Sequence, residues 1–175
     1  MLPPFLAFDT ETATHHGEIC AMAVVRFEDG LPVQSWQALV NPGVPIFWGF
    51  TQIHGIRNAD VRGAPPFAEA WESFRPHFTG GLPVVAHNAR FDHGVLKRNL
   101  ADCGLPFPDF DLHCTVAIAR KLWPQLPNHK LPTVAEHVGV ELQHHDALSD
   151  ARACGFVAAA ALMAWGGLAP PRAPK

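Results

Sequence analysis

Glu28-Asp29-Gly30 separates two apolar, β-prone runs, Ile19–Phe27 and Val33–Val40, and its composition suits a tight hairpin turn. A third such run, Phe5–Glu11, precedes them, so the chain opens as an antiparallel three-strand meander. A Pro/Gly-rich connection follows from Asn41 to Gly49. After Ala64-Pro65-Pro66, Phe67, Ala70, Trp71, Phe74 and Phe78 recur at helical spacing, and Gly80-Gly81 ends that helix. Pro83–His87 reads as a buried strand. Asn88 reads as the cap of a helix reaching Cys103, with Phe91, Val95 and Leu100 at helix-compatible spacing and Gly104 as its stop. Further helices are expected over Thr115–Leu122, Leu131–Val138 and, alanine-rich, from about Ala147 to Trp165. Hairpin-linked strands followed by alternating helices and strands imply an α/β domain around a mixed sheet flanked by helices.

Composition limits what such a domain can be. With 175 residues, 48% hydrophobic and 17% charged, the chain suits one compact domain, expected over residues 1–168, with a flexible tail over 169–175. The start, Met1-Leu2-Pro3-Pro4, lacks the basic and apolar segments of a secretory signal, and the longest apolar run, Phe156–Trp165, is too short to span a bilayer. A cytoplasmic protein with no membrane partner is the resulting expectation. Cys20, Cys103, Cys114 and Cys154 are far apart, without the spacing of a zinc site or a disulfide framework. Thirteen Lys plus Arg against sixteen Asp plus Glu give a net charge of -3, so no global basic field attracts nucleic acid. Arg90, Lys97, Arg98, Arg120, Lys121 and Lys130, taken singly, read as ordinary solvated surface.

Chemistry concentrates in three short clusters: Phe8-Asp9-Thr10-Glu11-Thr12, His87-Asn88-Ala89-Arg90-Phe91-Asp92, and His145-Asp146-Ala147-Leu148-Ser149-Asp150. Residues two apart on a strand share a face, roughly 6.6 Å apart along the axis, so Asp9 and Glu11 can lean over one metal site. Asp92 and Asp150 fall near helix N-termini, which favour negative charge. His145, just before the last helix, lies where a loop could aim it at the same point and let it take a proton from an attacking water. Each cluster also has an ordinary reading, as a solvated strand edge, a first-turn acid or a helix cap. His144 is a direct rival to His145.

In order and context, these clusters resemble the three motifs of the DEDDh family of 3′-5′ exonucleases, which includes the polymerase proofreading epsilon subunits, ribonuclease T and oligoribonuclease. Ile53-His54-Gly55-Ile56 and Cys114-Thr115 resemble secondary signatures of the epsilon-like branch. The resemblance covers nearly the whole chain and implies a ribonuclease H-like fold. It also implies hydrolysis of single-stranded DNA or RNA from the 3′ end to nucleoside 5′-monophosphates with two magnesium or manganese ions. By motif, Asp9, Glu11, Asp92 and Asp150 correspond to the metal ligands and His145 to the general base. Thr12, His54, His87, Asn88 and Phe91 match positions lining the terminal nucleotide, although Phe91 reads equally well as core. A sister branch uses a tyrosine base, and this chain has no tyrosine. The segment after Trp165 is shorter than the polymerase-binding extension of an epsilon subunit, so no dedicated extension of that kind is expected. The alternative is a catalytically silent module of the same fold that binds nucleic acid or protein; loss of an acid or of the base would favour it, and none is missing.

Overall fold

A computed structural model describes residues 1–168. The expected tail over 169–175 lies outside the described residues. Strands β1 (Phe5–Thr12), β2 (Ile19–Glu28), β3 (Leu31–Leu39), β4 (Val84–Ala86) and β5 (Leu112–Cys114) form one sheet in the order β3-β2-β1-β4-β5. The first three pair antiparallel, while β1–β4 and β4–β5 are parallel. The meander turns at Asp29 and Gly30, with φ of 52° and 80°, the left-handed pair that a twisted two-residue hairpin requires. β3 starts at Leu31 and contains Pro32, which lacks an N–H. Its place at the sheet edge, beside a register shift between Arg26 and Phe27, makes that tolerable.

Side-chain alternation along β1 sorts the helices onto two faces. Leu6 and Phe8 join Met22, Val24 and Val84 in a core covered by α3 (Phe67–Phe78) and α4 (Arg90–Asp102). Phe5 and Ala7 face the other way, with Ala23, Val25, Phe27 and Val85 packed under α7 (Ala147–Trp165). Helices α5 (Thr115–Leu122) and α6 (Leu131–His137) pack on α7 through Ile118, Ala119, Val134, Val157 and Ala161. The small side chains of α7 let it lie close to the sheet. Gly155 shows how close: a Cβ there would sit 2.1 Å from the Phe27 ring, which stacks on Phe5 at 5.0 Å. Gly155→Ala should therefore destabilise the fold by about 1–3 kcal/mol through overpacking, despite alanine's better helix propensity. Thermal denaturation checks this; an unchanged or raised melting temperature would show that Phe27 has room to move.

Four details differ from the sequence reading. The connection ends earlier than expected, because α1 (Trp48–His54) and α2 (Asn58–Val61) are short helices with little periodicity to reveal them. Asn88 does not cap α4: its φ is 63°, the helix starts at Arg90, and the N-cap residue Ala89 has no side-chain bond to give. Phe91 is not core but 48% exposed, and Leu96 occupies the buried row with Val95 and Leu100. Finally, α7 as a whole is long and apolar enough for a membrane span, although its apolar run from Phe156 is short. Its buried face is spent on the sheet, α5 and α6, as in a core helix.

Candidate active site

The two-faced packing brings acids to the carboxyl end of β1 from both sides. Asp9 and Glu11 continue the row of Phe5 and Ala7, on the α7 side, where Asp150 in the first turn of α7 meets them. Oxygens of Asp9, Glu11 and Asp150 lie within 4.8 Å of one another. Thr10 belongs to the opposite row, under α4. Its backbone N–H and its hydroxyl both donate to Asp92 Oδ1, at 3.0 and 2.8 Å, which locks the second cluster to the first. Glu11, Asp92 and Asp150 are buried, at 8%, 2% and 4% exposure.

Burying acids together without cations opposes their ionisation. Asp9 is pushed well above the usual carboxylate range by burial first, then by the charges of Asp92, Asp150, Glu11 and Asp146. Burial, with Asp150 and Asp92 nearby, pushes Glu11 up to about 8. Asp92 rises to about 7 through burial, held back by its two bonds from Thr10. Asp150 is raised by burial, against the opposing influence of His144. Such a cluster invites positive charge.

Both rival histidines reach this cluster, by different atoms. His144 Nδ1 lies 3.0 Å from Asp150 Oδ2. The backbone N–H of His145 donates to that same oxygen at 3.2 Å, from a residue in the left-handed conformation with φ 68°. The two rings stack at 3.8 Å. Burial and the neighbouring imidazoles of His144 and His54 lower the pKa of His145, which favours its neutral form. Both rings line the cleft; among the described residues none bonds the His145 ring, while His144 is engaged with an acid.

The acids and histidines line a cleft of about 740 Å³, together with Thr12, His54, His87, Asn88 and Phe91. Thus all ten residues singled out from the sequence meet in one place. Two of them are already occupied. His54 Nδ1 accepts from the Ile56 N–H at 3.1 Å and Nε2 donates to the Thr12 carbonyl at 3.1 Å, tying α1 to β1. His87 contacts Thr115 Oγ1 at 3.0 Å and the His129 carbonyl at 3.1 Å. Only the faces of these rings remain for a ligand. Asn88 and Phe91, by contrast, are exposed at the cleft.

A sequence model of the exonuclease family (RNase_T) matches residues 6–157, which is most of the chain and all three acidic clusters. The chain belongs to the DEDDh family of 3′-5′ exonucleases. The exonuclease is 38% identical over 155 residues to a PolC-type DNA polymerase III of Clostridium perfringens, a match that covers 85% of this chain and 10% of the polymerase. It thus spans about a tenth of the length of the curated relatives it matches. Among solved structures it resembles exonuclease X in complex with 5′-overhanging duplex DNA, at TM-score 0.73 and 28% identity, covering 93% of both chains. The nuclease domain of the DEDDh protein 3′hExo, bound to rAMP, shares the fold at TM-score 0.77 and 15% identity, covering 93% and 92%. The mixed sheet flanked by helices is accordingly the expected ribonuclease H-like arrangement.

This family depends on divalent metal ions, and the residues present fit such ions. The donors are hard carboxylate oxygens, as magnesium and manganese prefer. Asp150 Oδ1 is buried with no hydrogen-bond partner among the described residues, an orphan that a cation would satisfy. Sequence reasoning missed Phe50 and Val116 as cleft residues and read Arg120 and Lys130, taken singly, as ordinary surface. One signal was available: Val116 and Arg120, four apart on a helix, share a face.

Proposed function

We propose that this exonuclease removes nucleoside 5′-monophosphates one at a time from the 3′ end of single-stranded DNA or RNA, with two Mg²⁺ or Mn²⁺ ions held by Asp9, Glu11, Asp92 and Asp150. The convergence of Asp9, Glu11 and Asp150 on one point, with a buried Asp150 oxygen unsatisfied, carries this reading. The ions, when bound, offset the acids and stabilise negative charge developing on the phosphoryl oxygens. His145, neutral and facing the cleft, takes the proton of the attacking water. As the water oxygen bonds to phosphorus, the bond between phosphorus and the 3′ oxygen breaks; that oxygen takes a proton from solvent, so the shortened strand leaves with a 3′ hydroxyl and the released nucleotide carries the 5′ phosphate. Asp150 holds His145 through the backbone N–H, so base and ligand keep a common register. Phe91, Asn88 and Thr12, with the ring faces of His54 and His87, line the space for the terminal nucleotide, where stacking on Phe91 tolerates any base. A cytoplasmic setting accords with the curated relatives, which are bacterial DNA polymerases.

Incubation with 5′-labelled single-stranded DNA or RNA tests this. A ladder of shortening strands and 5′-mononucleotide products is expected with magnesium or manganese, and none in chelator. Internal cleavage, or intact substrate under every metal, would overturn the reading.

A further inference from the structure

Part of the cleft lining, Val116, Arg120 and residues 128–131, comes from residues with no part in the reaction above. Residues 123–130, which join α5 to α6, are held in place rather than left loose. Trp123 and Leu126 pack on the α5–α6–α7 core, and the Trp123 ring meets His137 edge-on at 5.0 Å. His129 Nε2 bonds the Trp123 carbonyl at 3.0 Å. Asn128 Oδ1 accepts from the Lys130 N–H at 3.0 Å and the Thr133 hydroxyl at 2.8 Å. From β4, His87 reaches across: Nε2 donates to the His129 carbonyl and Nδ1 accepts from Thr115 Oγ1. Burial pushes the pKa of His87 down to about 4, so this clamp stays neutral and single-tautomered at working pH.

On this fixed wall, Arg120 and Lys130 are the Lys and Arg side chains that line the cleft, and both are exposed at its surface. Among the described residues, every Asp and Glu lining the cleft belongs to the acid cluster. In a chain of net charge -3, a polyanionic strand needs local cations to be held here. The scissile phosphate belongs beside the acids, and neither Arg120 nor Lys130 is among the charges that shift those acids, so these cations meet phosphates further along the strand.

We propose that Arg120 and Lys130 form a phosphate clamp for the strand upstream of the scissile bond, and that His87 is the positioning residue that sets it. The choice of a nucleic-acid strand as the ligand rests on the exonuclease reading above. Lys121, adjacent to Arg120 but not lining the cleft, serves as the control.

Binding of a short labelled oligothymidylate is measured by fluorescence anisotropy in chelator, across a range of salt, so that no hydrolysis is involved. Arg120→Ala and Lys130→Ala should each weaken binding and reduce the logarithmic salt slope by about 0.7, the loss of one neutralised phosphate on a single strand. Lys121→Ala should leave the slope unchanged. His87→Phe should reduce it too and raise KM for oligonucleotides at nearly constant kcat, while His87→Gln, which can still donate to the His129 carbonyl, restores much of both. Hydrolysis of the p-nitrophenyl ester of thymidine 5′-monophosphate, which has no upstream phosphate, should be unaffected in the Arg120, Lys130 and Lys121 variants. Unchanged salt slopes in the Arg120 and Lys130 variants would overturn the clamp. Equal losses on the ester and the oligonucleotide in the His87 variants would overturn its positioning role. A protein that hydrolyses nothing yet shows the slope changes keeps the clamp and refutes the exonuclease reading instead.

Discussion

Asp9→Asn should abolish hydrolysis and, in chelator at pH 8, raise the melting temperature. The same substitution removes a proposed metal ligand and the charge most crowded by other acids, Asp92, Asp150, Glu11 and Asp146. The four acids have folded-state pKa values above their unfolded ones, with Glu11 at about 8 and Asp92 at about 7. Groups raised in this way contribute stability that is complete below the unfolded pKa of about 4 and is lost as pH rises through the folded value. Metal-free protein should therefore lose a few kcal/mol between about pH 4 and pH 8, since a tenfold change in proton affinity on folding corresponds to about 1.4 kcal/mol. Each kcal/mol corresponds to roughly 2–4 °C for a chain of this size. Added magnesium or manganese should restore the loss at pH 8 and do little at pH 4, where the acids are protonated. Calorimetry with and without chelator checks both statements; an Asp9→Asn variant that is active, or less stable than the parent in chelator at pH 8, would remove Asp9 from the metal set.

His145→Ala should lower kcat by about a hundred- to ten-thousand-fold, the usual contribution of a positioned general base, with metal affinity little changed. His144→Ala should act differently. His144 bonds Asp150 Oδ2, and loss of a group that orients a ligand weakens metal binding by roughly ten- to a hundred-fold. Excess metal should then recover most of the His144→Ala activity and none of the His145→Ala activity. Titration calorimetry with manganese, alongside rates at saturating metal, separates the two; the opposite pattern would exchange their roles.

The clusters were legible because their chemistry is local in sequence. Asp9 and Glu11 share a strand face by simple alternation, and Asp150 follows its N-cap Asp146 into the first turn of α7. The meander was legible for the same reason, since Asp29 and Gly30 announce their turn. What escaped was set by contacts between distant segments. Nothing local distinguishes Phe91 from a core residue; it is the next residue, Asp92, that is buried against Thr10, and Leu96 fills the buried row with Val95 and Leu100. Asn88 looks like a cap, yet the chain leaves β4 through a left-handed turn that delays the helix. Strand β5, three residues long, exists through its pairing with β4 rather than through propensity. Arg120 reaches the cleft from α5 and Lys130 from the connection to α6, which no spacing rule links.

The double bond from Thr10 to Asp92 divides the signature Asp9-Thr10-Glu11 between two jobs. Its outer letters answer to the reaction, and its middle letter answers to the architecture. A chain could keep every acid and the histidine and still loosen the centre by losing one hydroxyl, because Asp92 would be left with the backbone N–H of residue 10 alone. Screening relatives for intact chemistry by their acids alone would pass such a chain; reading residue 10 as well would not.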